Sequence, residues 1–91
     1  MQFAKQLRDR VRSGEITSSI RIWKSPRVKV GNSYAMPPGR IVVDQIMEIA
    51  LSDVTPELAR RSGFRGVVDL LKVAKHGDGE RVFFVEFHYV E

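Results

Sequence analysis

The sequence predicts a small α+β domain, a mixed sheet or barrel with helices packed at its ends. Three observations carry that reading. The segments 17–23 and 81–90 alternate side chains with the period of strands. The segments 3–12 and 66–75 repeat apolar residues at helical spacing. Strands and helices do not alternate one for one, as a doubly wound sheet requires. With 91 residues the chain has room for one small core and no second.

Each element has its own signal. In 3–12, Phe3, Ala4, Leu7 and Val11 share a helical face, and Gly14 is a stop. In 17–23, Ser18, Ile20 and Ile22 point one way, while Thr17, Ser19, Arg21 and Trp23 point the other. The next segment, KSPRVKVGN, reads as a loop or edge, because Pro26 has no N–H for a ladder and Gly31-Asn32 is a turn signal. A short strand follows at 33–36, broken by Pro37-Pro38-Gly39. Residues 40–51 read as a long strand with room for a bulge, its parity grouping Ile41, Val43, Met47, Ile49 and Leu51, with a helix over the second half as the alternative. Thr55-Pro56-Glu57 opens a short helix: a cap, Pro at the first helical position, and an acid in the first turn. That helix stops at Gly63, and a second runs over 66–75. His76-Gly77-Asp78-Gly79 reads as a turn. In the last strand Phe83, Val85, Phe87 and Tyr89 share one face, and Val82, Phe84, Glu86, His88 and Val90 the other.

Composition limits the chemistry. Apolar residues make up 43% and charged residues 29%, the balance of a soluble globular chain. No cysteine is present, which excludes disulfides and Cys-bearing metal sites and fits a cytoplasmic location. The first residues carry scattered charges in place of the apolar run of a signal peptide, and no stretch approaches the ~18 apolar residues of a membrane span. His76 and His88 have no ligand spacing between them, so no metal is expected. No phosphate-binding glycine loop or nucleophile elbow occurs, and no cofactor is implied.

Charge is more informative. The net charge is +4 and the pI about 9.9, which favours anionic partners. No acidic residue lies between Glu15 and Asp44, although Arg21, Lys24, Arg27, Lys29 and Arg40 do. Cations contact phosphates and Trp23 or Tyr34 would stack on a base, so this stretch is a candidate RNA or nucleotide surface. The plainer alternative makes Trp23 a core residue, Arg21 the partner of an acid such as Glu86, and the lysines a solvated edge. Glu86 and His88 share a strand face, as an acid–base pair or as structural groups. Arg60, Arg61 and Arg65 extend the basic surface if the fold brings them beside residues 21–29.

Taken together, SGEITSSIRIWKSPRVKVGNSY, RIVVDQIMEI, DVTPELARRSGF, GVVDLLKVAK and RVFFVEFHY resemble an ASCH domain, over roughly Val11 to Tyr89. Gly14 and Arg21 match the Gly and Arg of the family's strand-start motif, and VKVGNSY resembles the turn that follows it. The resemblance implies a single domain with a PUA-like fold, a small β-barrel of five or six mostly antiparallel strands with covering helices. It also implies a cleft between barrel and helix that faces RNA or nucleotides, with Ser19 hydrogen-bonding a ligand. Some members hydrolyse N4-acetylcytidine through a Lys, a Thr and a Glu, and others are linked to ribonuclease activity. Ile16, Ser19 and Ser62 stand at those three positions, and an alkyl side chain moves no proton, so the amidohydrolase activity is not carried over. RNA or nucleotide binding is the first expectation. A hydrolase or nuclease using Ser19, Lys24, Glu86 or His88, and an adaptor for an acidic protein partner, are the alternatives.

Overall fold

The alternating segments become the two strands that lie side by side in the sheet. A computed structural model of the chain describes residue 3, residues 5–74 and residues 81–91. The order is α1 (Lys5–Arg12), β1 (Ser18–Trp23), β2 (Ser33–Met36), β3 (Gly39–Ile49), a single 3-10 turn (Leu51–Asp53), α2 (Pro56–Arg61), α3 (Val67–Ala74) and β4 (Arg81–Val90). The strands form one curled antiparallel sheet, a half-barrel with spatial order β1-β4-β3-β2. Four strands are present among the described residues, against the five or six that the resemblance implies. The expected turn at residues 76–79, with His76, lies outside the described residues.

Both faces of the sheet are covered. On the first face Val11 of α1, with Phe3 before the helix and Ile16 after it, packs against Met36, Ile41 and Phe87. Beside them Trp23, Val43, Phe83 and Val85 close around Val28 from the loop after β1. On the second face Ala59 of α2, Leu70 of α3 and Val54 from the segment before α2 pack onto Ile20, Ile22 and Val82. β1 therefore alternates as expected and is still buried on both sides, with Ser19 3%, Ile20 0% and Trp23 4% exposed. Each fully buried Ile or Val contributes about 1.5–3 kcal/mol.

β3 corrects the expected parity. Val43 pairs with Phe87 and Gln45 with Glu86, leaving Asp44 without an opposite number. This bulge reverses which side each later residue faces. Ile41, Val43 and Ile46 share the first face, and Ile49 packs on the second-face cluster with α2 and α3. Met47, grouped by parity with Ile41 and Val43, lies on the other face and is 47% exposed.

Two local features follow the sequence closely. The Thr55 hydroxyl accepts from the Leu58 N–H at 3.1 Å, so the cap forms as read. Gly63 has φ +91°, and a Cβ there would lie 2.8 Å from Ile16 Cδ1 and 2.9 Å from Leu7 Cδ2. Glycine thus ends α2 and lets it approach α1. No helix among the described residues is long and apolar enough to cross a membrane.

Candidate functional site

The site is built from the bend that joins α1 to β1. The Arg10 carbonyl accepts from the N–H groups of Glu15 and Ile16, which turns the chain at Gly14 and sends Ile16 into the core. Two residues into β1, the buried Ser19 hydroxyl accepts from Arg21 Nε at 2.8 Å. The Arg21 guanidinium is half-buried and stands 5.0 Å from the centre of the Phe3 ring, in cation–π contact. Burial lowers its pKa from the usual arginine value, because desolvation disfavours the charged form. Arginine nevertheless stays protonated. A charge held at the edge of a core, oriented by a hydroxyl and an aromatic ring, is a preorganised group for an anion.

The loop after β1 is fixed rather than loose. Val28, 4% exposed, plugs it into the Trp23 cluster. Gly31 N–H donates to the Val43 carbonyl at 2.8 Å, and Val43 N–H donates to the Asn32 carbonyl at 3.1 Å. Lys29 N–H donates to the Tyr34 hydroxyl at 2.9 Å. These anchors leave the Lys24, Arg27 and Lys29 side chains exposed, and none forms an ion pair among the described residues. The structure thus brings Ser19, Arg21, Trp23 and Tyr34 to the first face and projects the three loop cations beyond it.

The aromatic candidates differ in position. The Trp23 ring stacks at a tilt on Phe83, with centroids 5.9 Å apart, and is a core group in this arrangement. Tyr34 is half-buried on the edge strand beside the loop it tethers. Near Trp23, Arg81 forks onto Glu48 through Nε at 3.1 Å and Nη2 at 2.7 Å. Its Nη1 also donates to the Lys24 carbonyl at 3.4 Å. The hydrogen bond from Arg81 is the main reason the Glu48 carboxyl sits below its usual pKa.

The alternative that pairs Arg21 with Glu86 is corrected by the register. Arg21 lies opposite Phe83, while Glu86 lies opposite Ser18 and Gln45 on the second face. Strand parity separates the two side chains by the thickness of the sheet. Next to Glu86, the buried Ser18 and Ser62 hydroxyls are 3.3 Å apart and satisfy each other. Ile16 and Ser62, two of the positions singled out by the resemblance, thus fall close together, since Ile16 abuts Gly63; they supply an alkyl group and a paired hydroxyl.

His88 points to the second face, and its Nδ1 lies 2.9 Å from both carboxylate oxygens of Asp44. The bulge gives Asp44 this reach, and alternation alone carries no sign of it. Two other contributors escaped the sequence reading: Phe3, which underlies Arg21, and Arg8, whose Nε donates to the Phe3 carbonyl at 3.2 Å. Nothing in local periodicity marks a terminal aromatic as the neighbour of a distant arginine. Among the described residues no three His, Asp or Glu side chains group as metal ligands. Comparison with family models, curated proteins and solved structures finds no match to this chain.

Proposed function

We propose that this chain is an RNA- or nucleotide-binding module of the ASCH, PUA-like kind, acting in the cytoplasm. The observation that carries the reading is Arg21, a partly desolvated cation oriented by Ser19 and Phe3 and followed by exposed Lys24, Arg27 and Lys29 on an anchored loop. In that reading Arg21 and the loop cations contact phosphate, and Tyr34 is the better placed of the two aromatics to meet a base. The further strands of a closed barrel belong to the proposal, as does the ASCH assignment itself. Anisotropy titration of labelled RNA tests it. Binding should weaken steeply between 50 and 200 mM salt, and Lys24→Gln/Arg27→Gln/Lys29→Gln should cut affinity at least tenfold with the fold intact. Salt-independent binding, or none, counts against it.

The His88–Asp44 pair supports a second reading, hydrolysis of a modified nucleoside or of RNA. A carboxylate on Nδ1 fixes the tautomer that leaves Nε2 as a proton acceptor, the orientation a general base needs. Turnover of N4-acetylcytidine or labelled RNA that is lost in His88→Ala would support it. Activity that survives His88→Ala, Ser19→Ala and Lys24→Ala would not.

A further inference from the structure

Arg60, Arg61 and Arg65 are brought to α1 by the fold. Leu7 of α1 packs against Gly63, where even a Cβ would come within 2.9 Å of it. Gly63 lies between Arg61 and Arg65, and Leu7 precedes Arg8. Arg8 in turn donates to the carbonyl of Phe3, whose ring lies under Arg21. The α2–α3 junction thus meets α1 at Gly63 and Leu7, and α1 meets Arg21 through Arg8 and Phe3, which places both groups of arginines along α1. Lys5, Arg8, Arg60, Arg61 and Arg65 are all exposed, and none is in an ion pair among the described residues. Glu57 precedes Arg60 and Arg61 by one helical turn and Asp69 lies beside Arg65, while the acids of α1 and its bend are taken up by other arginines. Asp9 holds Arg12, Glu15 holds Arg10, and Asp69 accepts from the Arg65 N–H. Five exposed cations over such a span, against Glu57 and Asp69, leave an excess of positive charge that suits a partner with its own regularly spaced negative charges.

We infer that the α1 face and the α2–α3 junction form a second phosphate-contacting surface, continuous with Arg21, and that the partner is an RNA strand of several nucleotides rather than a mononucleotide. This rests on the RNA-binding reading above and extends it. The strand runs from the loop cations, past Arg21 and Arg8, to Arg60, Arg61 and Arg65. The longest dimension of the molecule, 35 Å, leaves room for such a path.

The test is anisotropy with a fluorescein-labelled uridine dodecamer and a labelled uridine dinucleotide, across 50 to 200 mM NaCl. Arg60→Gln/Arg61→Gln/Arg65→Gln should weaken the dodecamer at least tenfold at the low-salt end. Its log–log salt slope should become shallower by about 2, three contacts at about 0.7 each for a single strand. Dinucleotide affinity should not change. Lys at the same three positions should restore the slope, which separates lost charge from lost folding. An unchanged slope in the Gln variant, while the Lys24/Arg27/Lys29 variant weakens binding, overturns this inference and leaves the binding module standing. A normal response to the loop variant's changes with loss only in the Arg60/Arg61/Arg65 variant supports the second surface and removes the loop from the first. No binding by the wild-type protein overturns both, and equal binding of polyglutamate reassigns the surface to an acidic polypeptide.

Discussion

Single residues set the local energetics. Thr55 caps α2 with its hydroxyl, so Thr55→Ala should cost about 1 kcal/mol in urea unfolding. Ser18 and Ser62 satisfy each other inside the core, so losing one strands the other. Each single Ala variant should cost about 1–3 kcal/mol, and the double variant clearly less than their sum, which a double-mutant cycle measures. Glu48 carries a pH signature. Its carboxyl is held below the ordinary glutamate value in the folded protein, chiefly by the hydrogen bond from Arg81. The stabilisation is present above the unfolded pKa and is lost as pH falls through the folded one. The urea midpoint should therefore decline on acidification below the ordinary glutamate range, less steeply in Glu48→Gln and less steeply in high salt, because the pair is exposed.

At the level of elements, the loop from Lys24 to Asn32 depends on one apolar anchor. Val28→Ala removes two buried carbons and should cost about 2 kcal/mol. Amide exchange at Lys29 and Gly31 should quicken by more than it does in the sheet, because their hydrogen bonds hold the same loop. The elements themselves were legible. Period-two runs marked β1 and β4, the Thr-Pro-Glu start marked α2, and Gly63 marked its end. What eluded the sequence was non-local. A bulge in this strand was allowed for, but its place at Asp44 depends on how two strands twist against each other, and alternation read without it groups Met47 with Ile41 and Val43. The Arg21–Glu86 alternative failed for a related reason: whether residues share a face across strands depends on register. For the site, Ser19 and Arg21 proved neighbours because two-residue spacing puts them on one face. Phe3, Arg8 and Asp44 were invisible because their partners lie far along the chain.

For the whole molecule, the four-stranded sheet is a partition with a core on each side, and β1, β3 and β4 contribute to both. Exposed cations gather on the loop after β1 (Lys24, Arg27, Lys29) and along α1 and the α2–α3 junction (Lys5, Arg8, Arg60, Arg61, Arg65). A partner touching both would be held by more than either alone, and its release by salt would be correspondingly steep. The Asp44 bulge has a genetic consequence. Because Ile41 and Val43 serve one core and Ile49 the other, the reading of β3 has a phase. Removing the codon for Asp44 should leave every other residue of β3 opposite its present partner and lose only the Asp44–His88 contact, whereas a codon inserted between Gln45 and Met47 should act as a frameshift in packing while leaving the reading frame of the message untouched. Second-site revertants of that insertion should be one-codon deletions concentrated within the same strand.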